Sequence, residues 1–215
     1  EKIIVKKKQY KTEEQPSPDP EPEKPKPENK FPFVDVSKTD WSYGAIKYMY
    51  DNKYVSGTSS TTFSPREKLT RGMLVTILHN IEGSPKTTET SKFPDVQNPN
   101  DYYYSAVKWA SKNKIVSGYS NGNFGPNDFI TREQLAVMLN QYSVYKGTYK
   151  KVIADFSKFK DSNKISNFAK WGMNWAVGTG VITGSQGKLI PQGTASREEA
   201  AAMIFKYFLS LQSEN

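Results

Sequence analysis

Residues 93–134 read FPDVQNPNDYYYSAVKWASKNKIVSGYSNGNFGPNDFITREQ, and the same order of residue types returns twice more in the chain. An aspartate stands two residues after a Phe (Asp35, Asp95, Asp161). A stretch with helical spacing follows, then a glycine (Gly57, Gly118, Gly184), a proline (Pro65, Pro126, Pro191) and an arginine (Arg71, Arg132, Arg197). Proline and arginine lie 6 residues apart in all three copies, glycine and proline 8, 8 and 7. A period of roughly 60 residues marks one supersecondary unit used three times, and a function built from a repeated surface or a repeated cleft.

Each copy predicts two helices. The first spans about 41–52, 102–113 and 166–177, where apolar side chains recur at helical spacing. Aligned across copies, the columns are Trp41/Tyr102/Phe168, Ala45/Ala106/Gly172, Ile46/Val107/Met173, Tyr48/Trp109/Trp175 and Val55/Val116/Ile182. The Ala/Ala/Gly column suggests a close helix approach, and the Tyr48/Trp109/Trp175 column a core position. Gly57, Gly118 and Gly184 follow the helix end, as natural left-handed or tight-turn positions. Phe63, Phe124 and Leu189 then anchor a polar loop. The second helix spans about 71–80, 132–141 and 197–208. It opens on Thr70, Thr131 and Ser196, good N-cap residues, with capping boxes at Thr131–Gln134 and Ser196–Glu199. Long alternating patterns are absent from residues 31–215. The expected fold is mainly α, a pseudo-threefold assembly of three helix-loop-helix repeats around a central helical bundle.

Residues 1–11 resemble a stranded remnant of an upstream domain. Residues 12–30 hold six of the 13 prolines among charged residues, which favours an extended spacer. The chain reads as a fragment of a longer protein: 1–30 remnant and linker, then repeats at 31–86, 87–147 and 148–215. Residues 31–215 carry 22 basic against 15 acidic side chains, an excess of seven that suits an anionic polymer. The basic residues are dispersed rather than clustered, which argues against nucleic acid. The absence of Cys excludes disulfides and thiolate chemistry and fits an exported bacterial protein. No apolar run reaches membrane-spanning length.

Nothing in the residues looks catalytic. His79 is the only histidine and has no counterpart in the other repeats, so it reads as a helix residue and leaves no multi-histidine metal site. No cofactor is implied. The repeated aspartates sit where a turn or cap aspartate would. The arginines are the anomaly: Arg71, Arg132 and Arg197 follow the N-cap, where the helix dipole disfavours a cation. A guanidinium there, beside free helix-start amides, would form a carboxylate pocket. It could equally be bonded to an internal carboxylate or to a neighbouring repeat's carbonyls. Of the abundant aromatics, the Trp41/Tyr102/Phe168 column is the better candidate for a groove wall.

The order Phe-x-Asp, aromatic, Val-x-Gly, Phe-x-Pro, Thr-Arg-Glu resembles the S-layer homology domain family, across about 85% of the chain and in three tandem copies. Its signature Thr-Arg-Ala-Glu appears as Thr70-Arg71-Gly72-Met73, Thr131-Arg132-Glu133-Gln134 and Ser196-Arg197-Glu198-Glu199. The resemblance implies a monomeric, non-enzymatic, extracellular module at a bacterial cell wall or S-layer. It implies inter-repeat grooves that bind secondary cell-wall polysaccharide bearing pyruvate ketals. In that reading Arg71, Arg132 and Arg197 grip carboxylates. Asp35, Asp95 and Asp161 hold the groove or bond sugar hydroxyls. Gly57, Gly118 and Gly184 let the backbone approach the sugar, with Trp41, Tyr102 and Phe168 as walls. The alternative is an S-layer lattice or protein-protein interaction module. Gly72-Met73 breaks the signature, so fraying of that helix is expected.

Overall fold

The computed structural model describes residues 31–212; the strand and spacer expected within 1–30 lie outside the described residues. Six α-helices follow in chain order: α1 (Tyr43–Asp51), α2 (Arg71–Ile81), α3 (Tyr104–Lys112), α4 (Arg132–Tyr145), α5 (Lys170–Gly178) and α6 (Arg197–Gln212). Among the described residues no strand forms, only isolated antiparallel bridges. The mainly helical fold is therefore as expected.

The packed pairs are not the two helices of one repeat. α2 packs on α3, α4 on α5, and α6 returns to α1, so each second helix lies against the first helix of the following repeat and the third repeat closes on the first. At the α4–α5 contact, a Cβ on Gly172 would stand 2.8 Å from the Val137 Cα. That is why this position holds glycine, while Ala45 and Ala106 fill its counterparts as buried residues. The second helices meet near their C-terminal ends, where the Tyr142 and Tyr207 rings cross edge to face at 5.9 Å. There the Tyr142 hydroxyl donates to Glu82, at the end of α2.

A ring of three backbone hydrogen bonds runs around the pseudo-threefold axis. Ile130 N–H donates to Leu69 C=O, Ala195 N–H to Ile130 C=O and Leu69 N–H to Ala195 C=O, each 2.9 Å. All three residues are fully buried. A buried backbone group must find a partner, and these residues satisfy one another across repeats.

The helix ends show where residue chemistry sets geometry. α1 and α3 stop in the same way: the Asn52 and Asn113 side chains donate to the Tyr48 and Trp109 carbonyls at 2.8 Å. The next residue then turns left-handed (Lys53 φ +61°, Lys114 φ +59°). In repeat 3 Thr179 and Gly180 (φ +78°) do the same work. Of the two expected settings, left-handed backbone holds at Gly184 (φ +68°) and not at Gly57 or Gly118. Gly57 and Gly118 are required by crowding, since a Cβ would lie 2.4 Å from the Ser59 and Thr62 oxygens or 2.6 Å from the Asn123 oxygen.

The first helices begin later than their spacing suggests, two residues late in α1 and α3 and four late in α5. Ser166 is held extended because its amide and hydroxyl both donate to Glu133, and a 3-10 turn at Asn167–Ala169 precedes α5. The fraying expected of α2 does not occur. Thr70 caps the Met73 amide, and the amides of Arg71 and Gly72 donate to Asp128 and Pro126 of the next repeat. Gly72 fits because Tyr102 and Tyr103 press against it.

Candidate functional site

Three grooves of one design open beside the signature arginines, and each draws on all three repeats. Arg71 of repeat 1 meets the Val116–Tyr119 loop and α4 of repeat 2, with Phe168 of repeat 3 as the far wall. Arg132 meets the Ile182–Ser185 loop and α6, with Trp41 opposite. Arg197 meets the Val55–Thr58 loop and α2, with Tyr102 opposite. The volumes are about 800, 550 and 300 Å³ respectively, within the usual range for small-molecule sites. The wall residues are largely solvent-exposed: Trp41 66%, Tyr102 56%, Phe168 61%. These aromatics stand in register around the pseudo-threefold axis with most of their surface open to solvent, although Tyr102 also packs edge-on against Tyr103. By contrast Trp109 and Trp175 of the neighbouring column are buried, and Tyr48 packs against Phe205 and Phe208.

Each arginine leaves its helix start and inserts into the next repeat's loop. Arg71 Nε donates to Phe124 C=O at 2.9 Å and Nη2 to Ser117 C=O at 3.3 Å. Its guanidinium lies 4.6 and 4.7 Å from the Tyr119 and Phe124 ring centres. Arg197 repeats this with Phe63 C=O and Ser56 C=O, both 2.9 Å, over the Phe63 ring. Arg132 Nε donates to Leu189 C=O at 2.9 Å, while Nη1 forms a 2.7 Å ion pair with Glu199. These carbonyl bonds explain a cation at the positive end of a helix: they offset a dipole penalty of about 0.3–1 kcal/mol. The arginines therefore staple the repeats together as well as edging the grooves, so the open question is answered mainly by neighbouring carbonyls.

Burial works against the charge on Arg71 and Arg197. For Arg71 it outweighs the help from Tyr119, Asp128 and Asp95; for Arg197 it outweighs that from Glu67 and Asp35. Among the described residues neither guanidinium lies within ion-pair distance of a carboxylate. An arriving anion would therefore gain from both.

The repeat aspartates do not face the grooves as free acids. Asp35 accepts from the Phe63 and Ser64 amides, Asp95 from Phe124 and Gly125, and Asp161 from Leu189 and Ile190, all between 2.7 and 2.9 Å. Both oxygens of each are used to lock the loop, which fits the groove-holding role. Burial raises the Asp161 carboxyl, but the Leu189 and Ile190 amides outweigh it and hold the group below its ordinary range. The residue after the anchor is left-handed in every copy: Ser64, Gly125 and Ile190. Gly57, Gly118 and Gly184 line the three grooves, yet the space a side chain would take is filled by the chain's own carbonyls and the Phe33, Phe93 and Phe159 rings.

The free helix-start amides expected beside the arginines are corrected. In α4 the Arg132 amide donates to Gly193, the Glu133 amide to Pro191 and the Gln134 amide to the Thr131 hydroxyl; α2 and α6 are satisfied in the same way. Sequence reasoning missed the other cations, Lys92 and Lys114 in the Arg71 groove and Lys188 and Lys206 in the Arg132 groove. Lys114, at the left-handed position after α3, was the legible one. His79 is buried, its Nε2–H donating to the Pro85 carbonyl and its ring against Trp109, a structural setting. Among the described residues no cluster of acids and histidine is placed to hold a metal, and no helix is long and apolar enough to cross a membrane.

The family profile described as the S-layer homology domain matches residues 32–72, 92–136 and 158–201. An endoglucanase of Bacillus sp. (strain KSM-635) is 34% identical over 177 residues, covering 82% of this chain and 18% of that protein. The exoglucanase XynX of Acetivibrio thermocellus is 30% identical over 80% of this chain and 16% of its own length. The S-layer protein EA1 of Bacillus anthracis is 28% identical over 80% of this chain and 19% of its own. The chain thus spans less than a fifth of the length of these relatives.

Proposed function

The chain belongs to the S-layer homology domain family, and from that premise we propose that it anchors a larger exported protein to secondary cell-wall polysaccharide. A chain of this family is a module of the bacterial cell surface. The finer reading is that its grooves hold acidic sugar, with a pyruvate ketal directed at the arginine edge and a ring face laid on the aromatic wall. One observation carries it: three grooves each bring together a desolvated guanidinium, a polar loop and an exposed aromatic ring, one from each repeat. A sugar ring offers C–H faces to the aromatic, and its carboxylate offers the planar partner that guanidinium favours. The chain itself is read as non-catalytic. The glucanases named above are matched over less than a fifth of their length, which suits a shared attachment segment joined to separate enzymatic parts.

The test is co-sedimentation of the 215-residue chain with cell-wall sacculi before and after extraction of the polymer. The reading requires binding that disappears on extraction. Binding that survives extraction redirects the proposal to peptidoglycan. Self-association in dilute solution without polymer would instead favour the lattice alternative.

A further inference from the structure

The three grooves share geometry but differ in charge. Among the described residues no carboxylate lines the Arg71 groove, where Lys92 and Lys114 join the arginine. Among the described residues none lines the Arg197 groove either, and Arg197 is its charged lining residue. The Arg132 groove holds Arg132, Lys188 and Lys206, but also Glu198 and Glu199. Of the two acids, Glu198 accepts from the Ser42 hydroxyl at 2.8 Å, and Glu199 is the one that pairs with Arg132. Glu199 is the third residue of its helix, where the other repeats have Met73 and Gln134. Gln134 closes its capping box with a neutral amide, accepting from the Thr131 N–H at 3.1 Å. Glu199 closes the equivalent box with one oxygen, accepting from the Ser196 N–H at 2.8 Å, and places the other 2.7 Å from Arg132 Nη1.

We propose that Glu199 is the specificity-determining residue of the three-groove set: its carboxylate occupies Arg132 as the ligand's acid would, directing acidic sugar to the Arg71 and Arg197 grooves, the Arg71 groove above all. This rests on the reading that the grooves hold acidic sugar. A ligand carboxylate reaching Arg132 must displace Glu199 or lie beside it, and like charges at that distance repel. Lys206, bonded to Thr183 at 3.1 Å, and Lys188 offset the local negative charge without freeing Arg132. The Arg71 groove has the opposite character. It is the largest of the three, its guanidinium bonds carbonyls and lies over rings with Asp128 and Asp95 beyond ion-pair distance, and two lysines add attraction. Neutral rings of the same polymer can still lie on Trp41 in the Arg132 groove.

The chain carries its own reporters. Met138 lines the Arg71 groove, Met203 the Arg132 groove and Met73 the Arg197 groove, while Met49 and Met173 are buried in the core as internal controls. Methyl-labelled methionine in the 215-residue chain can be titrated with the methyl glycoside of N-acetylmannosamine carrying a pyruvate ketal, and with the same sugar lacking it. In the native protein the Met138 methyl should titrate with the ketal sugar, and Met203 only at a concentration roughly tenfold higher or more, the scale of one charge-assisted hydrogen bond. In Glu199→Gln, which keeps the box as Gln134 does, Met203 should titrate alongside Met138. Circular dichroism checks that the variant remains folded. Met203 following Met138 in the native protein, or lagging it in the variant, overturns the role of Glu199 while leaving the acidic-sugar reading intact. Silence of all groove methyls toward the ketal sugar in both proteins overturns that reading, and this inference with it.

Discussion

Removing the Asp161 carboxylate asks whether the repeat aspartates act on the loop or on a ligand. Asp161 is buried and bonds two amides, Leu189 and Ile190, both at 2.8 Å. Hydrogen bonds to a charged group contribute about 1.5–3 kcal/mol each, so Asp161→Ala should forfeit about 3–6 kcal/mol. Part returns, because Ile190 is a β-branched residue held at φ +51° and strain of that kind costs about 1–3 kcal/mol. The net loss should be about 2–4 kcal/mol, or about 5–15 °C in Tm for a body of this size. In an Ile190→Gly background the strain is absent, and the same deletion should cost more. The assay is thermal unfolding followed by circular dichroism. The amides hold the folded carboxyl below its ordinary value, so the folded state takes up its proton at lower pH than the unfolded chain. Its contribution is therefore complete above about pH 3.9 and declines as pH falls from there through the folded value. The gap between native and variant should narrow over that window. A Tm change of less than about 2 °C at neutral pH, with polymer binding lost, would refute the clamp and make Asp161 a ligand contact.

Gly172→Ala should destabilise by more than about 1 kcal/mol, because the new methyl meets the Val137 backbone at 2.8 Å. Gly44→Ala, in the exposed part of α1 with nothing within 4 Å, should instead stabilise by up to about 1 kcal/mol; denaturant melts of the pair test the packing account. Met73→Glu supplies the missing half of the α2 capping box and an ion-pair partner for Arg197. It should add roughly 0.5–1 kcal/mol, read as a rise in Tm; a fall would contradict the equivalence of Met73 and Glu199.

Much of the fold was legible because the constraints that set it are local. The Thr131–Gln134 and Ser196–Glu199 boxes announced their helices, and the buried Phe63, Phe124 and Leu189 anchored loops as their spacing required. The pairing of α2 with α3 and of α6 with α1 was not legible, since it depends on the Leu69–Ile130–Ala195 ring, a contact among residues far apart in the chain. The same holds for the site. The oddity of arginine at a helix start pointed to the grooves, but its partners, Phe124 C=O for Arg71 and Leu189 C=O for Arg132, belong to the next repeat. Gly57 and Gly118 read as turn residues because sequence shows a glycine but not the carbonyl pressed against it. Why α1 carries an exposed Gly44 has no explanation in the structure.

We propose above that the groove arginines recognise acid groups on a wall polymer. Calorimetric titration of the 215-residue chain with extracted polymer, before and after removal of its ketal groups, tests this most directly. Affinity should fall roughly tenfold or more once the carboxylates are gone. Equal affinity for both forms would contradict it.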